Sequence, residues 1–90
     1  MELEKARRKI DEIDLKITKL LNKRFKIAVE IGEYKGRHGL PVFDSGRENE
    51  LLTKIALCAD MGFENYMQLV YMSILSCSKE IQKSIAGCEE

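Results

Sequence analysis

The chain has 90 residues, 44% apolar and 33% charged, enough for one small helical domain near the lower limit of a self-sufficient core. Fifteen basic and fifteen acidic side chains cancel to a net charge of zero, which argues against a protein built to grip nucleic acid or an acidic membrane surface. Three cysteines without paired spacing fit reduced thiols in a cytoplasmic protein better than a disulfide framework, Cys58 and Cys77 as small core residues and Cys88 in a loose tail. No charged leader followed by an apolar stretch opens the sequence and no apolar run approaches the ~18 residues of a membrane span, so neither export nor insertion is expected.

The first predicted element runs from about Glu4 to Lys35, with no proline and a sustained helical repeat. Ile10, Ile13, Ile17, Leu20, Ile27, Ile31 and Tyr34 recur at steps of three and four, and one step of the series is taken by Arg24. A guanidinium in a leucine's place is costly to bury unless an anion meets it, so Arg24 is either an interface ion-pair residue, with Asp14 or Glu30, or a ligand-binding one. Lys35 projects about 20° from Arg24 around the helix and about 16 Å along it, within reach of one shared small molecule. Arg7, at the edge of the same arc, is about 25 Å from Arg24 and can join them only from a second, antiparallel copy of the helix. Gly32 stands between the two cations, either for close helix packing or to leave room for a ligand.

Gly36, Gly39 and Pro41 predict the end of that helix and a loop to Ser45, with His38, the only histidine, as a solvated loop residue. Ser45-Gly46-Arg47-Glu48 reads as a capping box, with Asp44 as the alternative cap, opening a second helix over about 47–60 that buries Leu51, Leu52, Ile55 and Ala59. Met61-Gly62-Phe63 makes a turn into a third helix over about 64–86. Its stripe is Met67, Tyr71, Ile74, Ile81 and Ile85, with Ser78 in the missing place and Gln82 one turn beyond on the same side.

The polar residues on these stripes lack conventional catalytic groups: no histidine, no thiol beside a base, no glycine-rich phosphate loop and no carboxylate cluster at metal-ligand spacing accompanies them. Such a set suits binding of a small anion, or a unimolecular rearrangement that needs only a folded substrate and fixed charges.

The ordered set Arg7-x-x-Ile10-x-x-Ile13-Asp14, Leu20-Leu21-x-x-Arg24, Ala28-x-x-Ile31-Gly32-x-x-Lys35, Pro41-Val42-x-Asp44-x-x-Arg47-Glu48 and Ser78-x-x-x-Gln82 resembles the all-helical class of chorismate mutase over nearly the whole chain. The resemblance implies an all-α, intertwined homodimer of three-helix subunits with two active sites. Each site would borrow an arginine from the partner and turn chorismate into prephenate without a cofactor. It further implies that Arg24 and the partner's Arg7 clamp the two carboxylates, and that Lys35 and Gln82 donate to the ether oxygen. Glu48 would accept from the ring hydroxyl with Asp44 nearby, Arg47 would orient that glutamate or close the site, and Ser78 would contact a carboxylate. The sequence leaves an amino-substituted chorismate open as the substrate, and two alternative functions stand beside this expectation. One is an isochorismate pyruvate lyase, which resembles the mutases in fold but has an apolar residue where Glu48 stands. The other is a non-catalytic helical dimer.

Overall fold

A computed structural model describes residues 2–87, so Cys88 lies outside the described residues. The architecture is all-α, with α1 over Leu3–His38, α2 over Ser45–Cys58 and α3 over Glu64–Ala86. α1 has 36 residues, about 54 Å at the α-helical rise, and the long axis of the molecule is 54 Å, so this one helix sets the shape. The radius of gyration is 16.1 Å, against about 12 Å for a compact chain of this length.

The first helix outruns the predicted stop by three residues. Gly36 continues it, and Lys35, Arg37 and His38 put basic side chains in the last turn, where the helix dipole favours them. His38 is therefore helical, its ring 4.2 Å from that of Tyr34. The stop comes at Gly39 (φ 63°), where the N–H groups of Gly39 and Leu40 both donate to the Lys35 carbonyl. A side chain at that φ would be strained, which is why glycine stands there. The second helix starts two residues earlier than expected and is capped by Asp44, whose Oδ1 accepts from the Arg47 N–H at 3.1 Å. Ser45 is its first helical residue, so the Ser45/Glu48 box does not form and the Glu48 carboxylate is left for other use.

α3 packs on both other helices, while α1 and α2 do not pack on each other. Against α1 the approach is close: a Cβ on Gly32 would lie 3.0 Å from Gln82 Cα and 3.2 Å from Ile85 Cβ, and one on Gly36 3.1 Å from Ala86 Cα. The pairings Arg24–Ser78, Gly32–Gln82 and Gly36–Ala86 advance together, so α3 runs in the same sense as the C-terminal half of α1. Of the two roles open to Gly32, packing is the one this contact supports. Gly32→Ala is expected to lower the urea midpoint, because overpacking costs about 1–3 kcal/mol and helix propensity returns only about 1. An unchanged or raised midpoint would mean that α3 can step back freely.

Little of the chain is buried by itself. The apolar core of the described residues consists of Ala28 and Val42, with Ser78 as the one buried polar side chain. The predicted faces of α2 and α3 are half-buried from Leu51 to Ala59 and from Met67 to Ile81, while Ile85 is exposed. The N-terminal half of α1 behaves differently: from Leu3 to Leu20 every residue except half-buried Ala6 is exposed, including Ile10 at 56% and Leu20 at 63%. Cys58 and Cys77, expected in the core, are both exposed. Cys77 precedes Ser78 on α3 and so points about 100° off the buried stripe, and Cys58 closes α2 beside exposed Leu57. No helix among the described residues is long and apolar enough to cross a membrane.

Candidate active site

The close packing of α1 on α3 brings the polar members of their two stripes face to face. Arg24 Nη1 donates to Ser78 Oγ at 2.6 Å, and Ser78 is 5% exposed. Within the chain Arg24 makes no ion pair among the described residues. One turn along α3, Gln82 Oε1 is buried without a hydrogen-bond partner. Such an orphan is unusual in a folded chain and calls for a donor from a water, a ligand or a second chain.

The loop after Gly39 supplies the next wall. Val42 is 3% exposed, and its carbonyl accepts from Lys35 Nζ at 2.9 Å, which holds the lysine inward from the last turn of α1. This contact fixes where the chain re-enters as α2, whose first turn carries Asp44, Arg47 and Glu48 to the same place. Glu48 Oε2 meets Lys79 Nζ at 3.2 Å, with the side chains 20% and 30% exposed respectively. Lys79 also lies over the Phe43 ring, 4.9 Å from its centroid, so it is held from two sides.

These groups line an open cavity of about 290 Å³, a volume suited to a small molecule. Arg24, Lys35, Asp44, Arg47, Glu48, Ser78 and Gln82 all line it, so seven of the eight residues singled out in the sequence converge. The apolar walls are Ile27, Ala28, Ile31, Val42, Leu51 and Leu75. Among the charged lining residues, Arg24, Lys35, Arg47 and Lys79 outnumber Asp44 and Glu48, an excess suited to an anionic guest. Arg7 is the exception: it is exposed on the first turns of α1 with Nη1 3.4 Å from Glu4 Oε1, and it is not part of the cavity. Lys79 was not anticipated. A lysine one residue past Ser78 reads as a solvated face, and only the position of α2 over it reveals the partner.

Residues 6–83 match the family model described as chorismate mutase type II. The chain belongs to that family. It is 35% identical over 83 residues to a chorismate mutase of Methanocaldococcus jannaschii, the match covering 90% of this chain and 84% of that protein. It is also 34% identical over 89 residues to a bifunctional chorismate mutase/prephenate dehydratase of Aquifex aeolicus, covering 93% of this chain but spanning only 25% of that longer protein. A third family relative, a 4-amino-4-deoxychorismate mutase of Streptomyces venezuelae, is 30% identical over 77 residues, covering 83% of this chain and 75% of that one.

Proposed function

We infer that this chain is a chorismate mutase, converting chorismate to prephenate on the route to phenylalanine and tyrosine. The observation that carries the reading is the convergence of Arg24, Lys35, Glu48, Ser78 and Gln82 from three helices on one small, cation-rich cavity. Chorismate bears two carboxylates and an enolpyruvyl ether. In the rearrangement the ether carbon–oxygen bond breaks as a carbon–carbon bond forms in the same molecule, so no external acid, base or nucleophile is required. What a protein supplies is a bent substrate and donors aimed at the charge that grows on the ether oxygen.

Arg24, steadied by Ser78, presents its guanidinium fork to one carboxylate, and two parallel donors fix both its position and its plane. Lys35 uses one of its three donors on the Val42 carbonyl and has two left for the guest, among them the ether oxygen. Gln82 donates to the same oxygen from α3 through its side-chain Nε2, the donor end of its amide. Glu48 accepts from the ring hydroxyl, with Asp44 beside it and Arg47 closing that end.

The second carboxylate is held by Arg7 of a partner subunit. Two copies of α1 lie antiparallel across the exposed stripe of Ile10, Ile13, Ile17 and Leu20, and Arg7 of each reaches the other's cavity in an intertwined dimer. The unpartnered apolar face and the elongated single chain support this assembly. The three helices act as one domain, and free, exposed Cys58 and Cys77 suit the reducing cytoplasm.

Incubation with chorismate, followed as loss of its ultraviolet absorbance, tests the reading, and the expected product is prephenate. Release of pyruvate from isochorismate instead would make the chain a lyase, against which Glu48 in the cavity already speaks. No turnover of either substrate would leave a non-catalytic dimer.

Gln82 provides a test of its own. An amide keeps its N–H donors at any pH, whereas a carboxyl donates only when protonated. Gln82→Glu is therefore expected to lose most activity at pH 8 and regain part of it as the pH falls toward 5, while the parent rate stays level between those limits. A variant profile parallel to the parent's would remove Gln82 from the donor pair.

A further inference from the structure

Of the charged groups around the cavity, Lys79 has no part in the reaction as derived above, although it is the group nearest the Glu48 carboxylate. Its Nζ is 3.2 Å from Oε2 and 3.5 Å from Oε1, so it straddles the two oxygens. The ammonium also lies over the Phe43 ring, 4.9 Å from its centroid. Asp44 and Arg47 share this end of the cavity, while Arg24 and Lys35 approach from α1.

We propose that Lys79 is a specificity-determining positioning residue: paired with Glu48, it makes this end of the cavity accept a neutral hydroxyl and turn away a cationic ammonium. The inference rests on the chorismate mutase reading and deepens it by naming which chorismate-like substrates are excluded. A carboxylate offers about four lone-pair directions, so Glu48 bonded to Lys79 still has room to accept from a hydroxyl. An isolated carboxylate would favour an ammonium over a hydroxyl on charge alone. With Lys79 against Glu48, an ammonium at the hydroxyl's place would be a second cation beside that pair, at an end of the cavity where Asp44 and Arg47 offset each other. Selectivity then comes from a repulsive element built into the site.

The distinction has a natural probe pair, chorismate and 4-amino-4-deoxychorismate, which differ in placing a hydroxyl or an aliphatic amine on the ring. The measurement is the ratio of kcat/KM for the two substrates on the purified full chain. Because both values come from one preparation, partial unfolding of a variant cancels. The parent is expected to prefer chorismate, and Lys79→Met, which keeps the stem over Phe43 and removes the charge, to lower that preference by about tenfold or more. Lys79→Arg, which keeps the charge, is expected to retain it. The proposal is overturned if Lys79→Met leaves the ratio unchanged, whether or not kcat/KM for chorismate falls, since the charge of Lys79 would then have no part in the selection. A parent that prefers the amino substrate also overturns it. A parent that uses neither substrate brings down the chorismate mutase reading along with it.

Discussion

Lys35→Ala is expected to lower kcat for chorismate by about 10²–10³-fold, the effect of removing one preorganised donor worth about 2.7–4 kcal/mol of barrier. Lys35 is half-buried, and its ammonium is fixed by the Val42 carbonyl at 2.9 Å, so it does not have to be ordered at the moment of reaction. The charge it answers grows on the ether oxygen only as the bond stretches. The loss should therefore fall on kcat more than on KM. Arg24→Ala should show a comparable fall in kcat/KM with more of it in KM, because the carboxylate it holds is charged in substrate and transition state alike. The C-cap of α1 uses the Lys35 backbone carbonyl and survives the first substitution, so circular dichroism and sedimentation should report an intact fold. Near-normal turnover in a folded Lys35→Ala protein would remove this residue from the chemistry.

Mixing two inactive variants is expected to restore activity. In the proposed dimer, Arg7→Ala should disable each site from the partner's side, and Lys35→Ala from its own. When the two proteins are unfolded together and reassembled at equal concentration, half of the dimers should contain one chain of each kind. In those dimers one site has both an intact Lys35 and an intact Arg7, while the other lacks both. About a quarter of the parent activity should therefore return, a value set by the symmetry of the assembly rather than by any energy. Recovery of nothing would place Arg7 outside the partner's site, and an active Arg7→Ala protein alone would exclude it from the reaction.

Much of the fold was legible because its signals are local. Spacings of three and four, a glycine stop at Gly39 and a turn at Gly62 depend only on the chain near them, and all three helices follow. The boundary errors come from competition between such signals. Gly36 suggested a stop, yet three basic residues in the last turn and the contact with Ala86 carry α1 on to His38. Asp44 and Ser45 are both good caps, and the extended backbone at Asp44 decides between them. For the cavity, Arg24 and Ser78 stood out as polar residues on apolar stripes, and Gln82 followed one turn later. Lys79 gave no such signal, because its pairing with Glu48 depends on how α2 crosses α3, a long-range relation that periodicity does not carry. The cysteines failed for a related reason: a small apolar residue suits a core, but Cys77 lies off the stripe that forms one.

The bare flank of α1 also governs how this catalyst responds to abundance. Among the described residues only Ala28 and Val42 are enclosed apolar side chains, so in the proposed dimer acquiring a shape and acquiring a mate would be a single second-order event. Its melting temperature should then climb with each increase in protein concentration, and specific activity should sag on dilution. Below some level of synthesis a cell would hold mainly protease-sensitive chains instead of a proportionally smaller supply of working enzyme.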